Sequence, residues 1–263
     1  MKKSWIDEFV ADWVLAGKSP VTAKAYKKSL LQLISTTEDP TLADIRIWLS
    51  ETTGVEARRK KAQAARAFGA WCEQMDLGEF IFWKQIPLQK ADIRPQQTVT
   101  QGEYLDSLKK CTTLRDVVLV ELLWGTGMRR EELARIHVEH LNLVEGFVVV
   151  PTSKSGRPRV VPLPPKARTT IRRFLKRRES GLLLEMSGNA IRLRLRRLGL
   201  PSAHAWRRGW AVHSLRAGVS EASVRAAAGW NGGSMVVRYT SALAGQLAVD
   251  EFVKTWNRQS LNL

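Results

Sequence analysis

The first third of the chain has apolar side chains spaced three and four residues apart, which is the period of an amphipathic helix. This spacing is carried by Phe9, Trp13, Val14, Val21, Tyr26, Leu30, Leu31 and Ile34. Ser19 and Pro20 suit the cap and the first residue of a second helix. Thr41 with Asp44 forms a capping-box signal for a third helix.

A fourth helix is predicted over 55–75, and its first half is rich in basic side chains. The basic cluster consists of Arg58, Arg59, Lys60, Lys61 and Arg66. Such a cluster is more often a solvated helix face, yet in a strongly basic chain it is also a candidate for contacts with backbone phosphates. With the three helices before it, this helix completes a compact helical domain over 1–86.

A second domain is predicted over 100–263. The segment before it, 87–99, has no periodicity and contains two prolines, which is typical of a linker. Thr100 and Glu103 then form another capping-box signal. The first helices of this domain are predicted over 101–110 and 114–124.

The next segment, GTGMRREELARI, combines a turn with a charged helix start. Gly125 and Gly127 are predicted to bracket a tight turn, which presents Arg129 at the beginning of a further helix. An arginine there can bind a phosphate through two parallel hydrogen bonds, and Glu132 lies one turn further along. The alternative is an ordinary helix-turn-helix with surface charge, because Thr-Gly-x-Arg is by itself a weak motif.

Two β-branched runs, 147–150 and 159–161, are joined by a polar, glycine-containing turn, which predicts a β-hairpin. Lys154 lies in that turn, where a lysine is usually solvated but can also act as a compact, mobile acid over a DNA backbone. Basic helices are predicted over 165–179 and 188–198. The Arg-Leu alternation in the second is also compatible with a strand, and we favour the helix. The fold class is therefore mainly α with a small β-sheet.

The C-terminal part of the chain is predicted to form helix, stop, helix and turn. Its apolar pattern breaks at Gly218, restarts after Ser220 and breaks again at Gly229. His204 and Arg207 are three residues apart, so they share one face of the first of these helices.

Trp230, Arg238 and Tyr239 are predicted to lie on a short final element that folds back toward His204 and Arg207. A histidine, an arginine and a tyrosine that converge form a phosphate site with a nucleophile. Taken singly, a tyrosine is more often a core or interface side chain, and an arginine in so basic a protein is more often a solvated charge. The spacing, combined with the two earlier segments, favours the functional interpretation.

The net charge of the chain indicates what kind of partner it binds. The 263 residues carry 42 Lys and Arg against 25 Asp and Glu, a net charge of +17, and the part after residue 90 contributes +14 of it. So large an excess implies a large anionic partner, with nucleic acid ahead of a membrane surface. The two cysteines, Cys72 and Cys111, argue for a reducing compartment and against a disulfide framework or a cysteine-ligated metal. No signal peptide is expected, and the longest apolar run, 117–124, is too short to span a bilayer.

The order of the candidate residues resembles the catalytic constellation of the tyrosine recombinase (phage integrase) family. The matching positions are Arg129, Lys154, His204, Arg207, Trp230 and Tyr239. The resemblance is carried by T-G-M-R-R-E-E-L, S-K-S-G-R-P-R-V-V-P-L, H-A-W-R-R and the ending G-W with Y-T. The helical segment 4–86 resembles the family's core-binding domain. Trp230 stands where histidine is commoner, although some members carry tryptophan, and Trp206 and Arg208 replace a commoner leucine and histidine.

The resemblance implies transfer of a DNA phosphodiester to a tyrosine. Charge on the non-bridging oxygens of the phosphate needs nearby cations, and this role is implied for Arg129 and Arg207. His204 would act as a hydrogen-bond donor or proton shuttle, and Lys154 as the general acid for the leaving 5′ hydroxyl. Tyr239 would become the 3′-phosphotyrosine.

Two further residues receive roles from the same resemblance. Glu132 is expected to orient neighbouring catalytic groups. The indole N–H of Trp230 can donate a hydrogen bond but cannot exchange a proton at neutral pH, so acid or base work at this position is not expected. No metal-ligand cluster is visible in the sequence, so no metal or other cofactor is expected. Rejoining needs no ATP, because the covalent linkage stores the bond energy.

The implied architecture is a two-domain, C-shaped clamp on duplex DNA that contains a specific core site, with a tetramer assembled on the DNA. An amphipathic tail over 243–256 would pack on its own domain or, as the family favours, dock on a neighbouring protomer. The implied function is integration or excision of a mobile element, such as a phage, through a Holliday junction in the cytoplasm of a bacterial host. An accessory DNA-bending or directionality protein is compatible with this function.

Three alternatives stay open. The first is a chromosome or plasmid dimer resolvase that uses the same chemistry. The second is a non-catalytic DNA-binding regulator on the same fold, for which Trp230 is the best argument. The third is a type IB topoisomerase, which would relax DNA without a defined site and without assembly.

Overall fold

The computed structural model describes residues 2–77, 81–89, 97–151 and 158–230, together with positions 248, 249 and 253. The chain divides into two compact units, Met1–Arg94 and Pro95–Leu263. Three predictions fall outside the described residues: the hairpin tip with Lys154, the final element with Arg238 and Tyr239, and the tail over 243–256 apart from isolated positions.

Among its described residues, the first unit contains four helices and a short 3-10 turn. They are α1 (Lys3–Leu15), α2 (Pro20–Ile34), α3 (Leu42–Ser50), α4 (Val55–Gln74) and the turn Ile81–Gln85. The capping box predicted for α3 is present. The hydroxyl of Thr41 accepts from the backbone N–H of Asp44, and the Asp44 carboxylate accepts from the backbone N–H of Thr41 at 2.8 Å. Pro20 is the first residue of α2, as predicted, because a helix needs no N–H donor there.

Aromatic side chains fill the centre of the first unit. The ring centroid of Phe9 lies 5.6 Å from that of Phe68 and 5.9 Å from that of Trp71, both in edge-on contact. The predicted helical spacing therefore matches the buried face. Two members of the pattern, Val14 and Val21, are instead exposed, because they lie at the facing ends of α1 and α2 beside the turn.

Part of the basic cluster on α4 is committed to the unit's own structure. The Lys61 ammonium donates to the hydroxyl of Thr52 at 3.0 Å and lies 4.6 Å from the ring centroid of Trp48. Arg66 donates to the backbone oxygen of Ile86 at 2.9 Å. Desolvation lowers the pKa of Lys61. These two cations therefore help to hold the unit together, which the sequence did not indicate.

The second unit contains seven helices and a three-stranded antiparallel sheet among its described residues. In chain order they are α5 (Gln101–Lys109), α6 (Leu114–Thr126), α7 (Arg130–Leu133), β1 (Leu141–Asn142), β2 (Phe147–Val150), β3 (Arg159–Pro162), α8 (Pro165–Leu175), α9 (Gly188–Arg197), α10 (Ala203–Arg216) and α11 (Glu221–Ala228). The strand order is β1-β2-β3, and the hairpin pairs Val150 with Arg159. The predicted fold class, mainly α with a small sheet, is confirmed.

Three helix boundaries differ from those predicted. Helix α6 continues through Gly125, where the ring of Pro164 packs so closely that a Cβ would clash, so this glycine permits close packing rather than a turn. The turn is therefore made at the second glycine alone. Helix α7 is only four residues long and ends before the last residues of the segment GTGMRREELARI, which was expected to carry it. Helix α8 stops early, because Lys176 adopts a positive φ of 52° that a helix cannot continue.

The second unit takes in residues before its predicted start. Val99, at the end of the predicted linker, is buried, and its backbone N–H donates to the oxygen of Ala205 at 3.3 Å. A Cβ on Gly209 would collide with the carbonyl oxygen of Val99. This close approach fixes the segment on α10.

Helix α6 lies at the centre of the second unit. Its buried side chains occupy several faces rather than one stripe, which is typical of a helix surrounded by others. It packs against α8 and α10, and a single hydrophobic core joins it to the sheet. This core fixes the ends of α6, α10 and β3 relative to one another. Among the described residues, no helix is both long and apolar enough to cross a bilayer.

Candidate active site

The end of α6 determines where Arg129 stands. Gly127 caps this helix in the left-handed region, with a φ of 56°. The ring of Trp210 lies so close to Gly127 that a Cβ there would collide with it. Both conditions require glycine. The chain therefore turns sharply, and Arg129 occupies the N-cap position of α7.

The carboxylate of Glu132 lies between two arginines. Its Oε1 accepts from Nη1 of Arg129 at 2.7 Å and from Nη1 of Arg159 at 3.0 Å. Its Oε2 accepts from the backbone N–H of Arg129 at 2.7 Å and from Nη2 of Arg159 at 2.7 Å. Arg129 is therefore held through both its backbone and its side chain.

These contacts keep Glu132 ionised. Burial alone would raise the pKa of Glu132, but hydrogen bonds from Arg159 and Arg129, together with the charge of Arg159, lower that pKa to about 2. The three side chains together carry one net positive charge at neutral pH. This geometry suits the orienting role expected of Glu132.

Arg207 connects two helix ends. It lies on α10 and is only 3% exposed. Its Nη1 donates to the backbone oxygen of Gly127 at 2.6 Å, and its Nη2 to that of Ala228 at 2.5 Å. Both carbonyls lie at helix C-termini, where backbone oxygens lack helical partners and a cation is favoured. Arg207 is thus fixed relative to α11 and to the turn just before Arg129.

Trp230 packs against the guanidinium of Arg207. Helix α11 ends at Gly229, which has a left-handed φ of 66°, and the backbone N–H of Trp230 donates to the oxygen of Arg225 at 3.1 Å. The buried indole ring lies 5.1 Å from Cζ of Arg207, within cation–π range. This position therefore supplies an aromatic face, a role that needs no proton exchange.

His204 lies on α10 one turn before Arg207, as the spacing predicted. The two differ in environment, since His204 is exposed and Arg207 is buried. Desolvation of the imidazole and the positive charges around it lower the pKa of His204. These charges belong to Arg208, Arg207, Arg130 and Arg129. A lowered pKa favours the neutral imidazole, which can accept a proton at one ring nitrogen while the other donates a hydrogen bond.

The described structure connects four of the predicted site residues through hydrogen bonds, a ring contact and the short backbone stretch from Gly127, whose carbonyl Arg207 binds, to Arg129. The four are Arg129, Glu132, Arg207 and Trp230. His204 lies one helical turn before Arg207. Lys154 and Tyr239 lie outside the described residues, so their placement stays a prediction. Within the described ranges, no group of three His, Cys, Asp or Glu side chains is arranged to hold a metal ion.

Arg159 belongs to the same cluster as Arg129 and Glu132, and the sequence pattern did not point to it. Its partner Glu132 is 27 residues away, so no helical or turn spacing joins them. The available signal was its position at the start of a half-buried strand of β-branched residues. An arginine there needs a buried acceptor from elsewhere in the fold.

Comparisons with known proteins cover most of the chain. The sequence model of the phage integrase family matches residues 93–245. Tyrosine recombinase XerA of Pyrococcus furiosus is 26% identical over 182 residues, which are 68% of this chain and 63% of that protein. Tyrosine recombinase XerC of Mycobacterium tuberculosis is 29% identical over 240 residues, 82% of this chain and 77% of that protein.

Among solved structures, a lambda integrase tetramer bound to a Holliday junction has the same fold. The TM-score is 0.70 at 16% sequence identity, and the match covers 90% of this chain and 76% of that chain. The family match spans more than half of the present sequence. The chain therefore belongs to the phage integrase family, the family of site-specific tyrosine recombinase enzymes.

Proposed function

We propose that the protein cleaves and rejoins duplex DNA at a specific site through a covalent 3′-phosphotyrosine. The observation that carries this proposal is that Arg207 is bonded to the carbonyl of Gly127, two residues before Arg129. Two arginines fixed in this way offer preorganised positive charge to the non-bridging oxygens of one phosphate. Charge placed before the reaction needs no reorganisation as the transition state forms.

The proposed reaction uses only side chains of this chain. The phenolic oxygen of Tyr239 forms a bond to phosphorus as the bond from phosphorus to the 5′ oxygen breaks. His204 takes up the phenolic proton directly or through water, and Lys154 gives a proton to the leaving 5′ oxygen. Attack by another 5′ hydroxyl reverses these steps, joins the new strand and regenerates Tyr239.

The other two tyrosines are poorly suited to act as the nucleophile, which supports Tyr239. Tyr104 is buried, and its hydroxyl donates to Glu121 at 3.0 Å while accepting from Lys166 at 3.0 Å. Burial raises the pKa of both Tyr104 and Tyr26. A raised phenol pKa lowers the fraction of the reactive phenolate at neutral pH.

The proposed partner is double-stranded DNA that contains a specific core site, and the proposed assembly is a tetramer on it. The net charge of +17 supports an anionic polymer as partner. The lambda integrase neighbour is a tetramer on a Holliday junction, and we extend that assembly and intermediate to this chain. Phosphate contacts would supply most of the affinity, so binding should weaken steeply as salt is raised.

The proposed biological role is integration or excision of a mobile element. The curated relatives XerA and XerC favour a second candidate, resolution of chromosome or plasmid dimers by the same chemistry. The location of the cleaved site separates the two. A site beside the gene supports the mobile element, whereas a site elsewhere together with accumulation of replicon multimers after gene deletion supports the resolvase.

Covalent trapping tests the proposed chemistry. The protein is incubated with sheared DNA from its source, including the flanks of its gene, and is then denatured. We expect covalent complexes at one recurring sequence with the wild type and none with Tyr239→Phe, which should still bind DNA. Trapping at random positions would favour a topoisomerase-like enzyme. Tight binding without any trapping would favour a non-catalytic regulator.

A further inference from the structure

Arg159, the first residue of β3, is buried between two parts of the second unit, and its side chain is 8% exposed. Its Nε donates to the backbone oxygen of Ala227 at 2.8 Å. Its Nη1 and Nη2 donate to the two oxygens of Glu132 at 3.0 and 2.7 Å. The guanidinium is therefore fixed at all three of its nitrogens. The hydrogen bond to Ala227 orients the two Nη groups of Arg159 toward the Glu132 carboxylate.

The three charged side chains differ in their exposure to solvent. Arg129 is 29% exposed, whereas Glu132 and Arg159 are 6% and 8% exposed. An anion that approaches the group from solvent therefore meets Arg129 first. Arg159 lies on the buried side of the carboxylate and is not placed to touch that anion.

Arg159 changes what Arg129 can offer. Without Arg159, Arg129 and Glu132 would form a neutral ion pair. The charge of the carboxylate would then neutralise the charge of Arg129 completely. With Arg159 present, the carboxylate is shared between two guanidinium groups. One net positive charge is then left, and it lies at the exposed arginine.

We propose that Arg159 is a positioning residue for strand cleavage. It counterbalances Glu132, so that Arg129 presents its charge to the scissile phosphate. This inference rests on the proposed function and adds a residue that acts through Glu132 and Arg129 rather than on the DNA.

The same unit contains an arginine that supplies a matched control. Arg194 donates to both oxygens of Asp116, at 2.7 and 2.6 Å, and thereby joins α9 to the start of α6. The other side-chain donors to Asp116 are the neutral hydroxyls of Thr112 and Thr113. Loss of Arg194 therefore removes a bidentate contact without changing the charge of a proposed catalytic cation.

The experiment uses the DNA site recovered by covalent trapping, made with either a normal scissile phosphate or a methylphosphonate. In the methylphosphonate, a methyl group replaces one non-bridging oxygen, so the reacting group has one negative charge fewer. The two diastereomers are tested separately with wild type, Arg129→Ala, Arg159→Gln, Arg159→Lys and Arg194→Gln. Single-turnover cleavage, DNA affinity and thermal unfolding are measured for each variant.

On normal DNA we expect Arg159→Gln to cleave about 10²-fold more slowly than wild type. Arg159→Lys should lose less, because it keeps the charge but cannot bond Ala227 and both oxygens of Glu132 together. Both variants should regain most of the lost rate, relative to wild type, on the diastereomer that restores Arg129→Ala. Arg194→Gln should unfold at a lower temperature and cleave normal DNA at the wild-type rate.

Each remaining outcome decides the question. If the Arg159 variants fold and bind DNA but stay slow on both diastereomers, or if they cleave normal DNA like wild type, the positioning role is wrong. If Arg159→Gln does not fold, Arg159→Lys carries the same comparison. If the wild type forms no covalent complex with any DNA, the proposed function fails first, and the role of Arg159 fails with it.

Discussion

Helices α6 and α7 begin with the same arrangement and differ at one position. Asp116 is the third residue of α6, and its carboxylate accepts from the backbone N–H of Thr113 at 2.9 Å and from Nη2 of Arg194 at 2.6 Å. Glu132 is the third residue of α7 and in the same way holds the backbone N–H of Arg129 and a distant arginine. Both carboxylates are buried, and both have a lowered pKa.

The difference lies at the N-cap. At α6 the N-cap is Thr113, whose hydroxyl accepts from the backbone N–H of Asp116 at 3.2 Å. At α7 the N-cap is Arg129, which has no side-chain acceptor to offer. A local rule that is broken in this way is commonly found at a functional site. Both carboxyl groups have a lowered pKa, so the pKa does not show which helix start is the candidate functional one. The residue at the N-cap does show it.

The largest effect is expected from removing each carboxylate charge in turn. Glu132→Gln leaves the buried Arg159 without its carboxylate and next to the positive charge of Arg129, so we expect it to cost about 3–5 kcal/mol of unfolding free energy. Asp116→Asn should cost less, because it strands only Arg194, which is 27% exposed and can turn toward water, whereas Arg159 is 8% exposed and cannot. Urea unfolding of both variants measures the difference. Equal losses would contradict the view that Glu132 balances two charges.

The next largest effect comes from giving α7 the cap of α6. Arg129→Thr should slow cleavage by about 10²-fold or more, while the new hydroxyl stabilises the helix start by about 1 kcal/mol. The matched control is Thr113→Ala, which should lose about 1 kcal/mol of stability and keep the wild-type cleavage rate. Single-turnover cleavage and thermal unfolding separate the two effects. A loss of stability in Arg129→Thr would mean that Arg129 serves the fold rather than the chemistry.

Lowering the pH from 5 to 3 should remove only part of the stability that the ionised Glu132 carboxylate contributes to the fold. The folded-state pKa is about 2 against an ordinary value of 4.5. The contribution is therefore fully present above about pH 4.5 and is lost as the pH falls from there toward 2. We expect the stability of Glu132→Gln to fall less steeply than that of wild type between pH 5 and pH 3. If the unfolding free energies of the two proteins, measured with urea, fall equally with pH through this range, the arginines do not lower the pKa of Glu132.

The smallest expected effect is a change in the pKa of His204, which the positive charge of Arg129 at the α7 N-cap helps to lower. Its imidazole should titrate below its ordinary pKa of 6.5 in the free protein. The pKa should rise in Arg129→Thr, because one of the surrounding positive charges is removed. NMR titration of the His204 ring protons measures both values. An unchanged pKa in the variant would place Arg129 too far away to share a phosphate with His204.

Local patterns predicted the elements that depend on neighbours in sequence. The capping box at Thr100 is present, with the Thr100 hydroxyl accepting from the backbone N–H of Glu103 at 3.2 Å. The stop at Gly229 is also present. The same reasoning placed both Gly125 and Gly127 in the turn, because glycine spacing does not reveal the proline that packs against the first of them.

The interior of the site depends on pairings that no local pattern contains. Arg207 receives its carbonyl partners from two other helices, 80 and 21 residues away in sequence. The pairing of Arg159 with Glu132 likewise requires the hairpin to pack beside α7. A known family order in the sequence can propose candidate residues for the chemistry. It does not indicate which buried groups hold them in place.

The most direct test of the central claim is to identify the residue that carries DNA in the trapped complex. Protease and nuclease digestion leaves a short nucleotide remnant on one peptide, and mass spectrometry locates it. We predict a remnant joined through a 3′-phosphate to Tyr239, with a free 5′ hydroxyl on the released strand. A remnant on Tyr26 or Tyr104, or a linkage through a 5′-phosphate, would contradict the account.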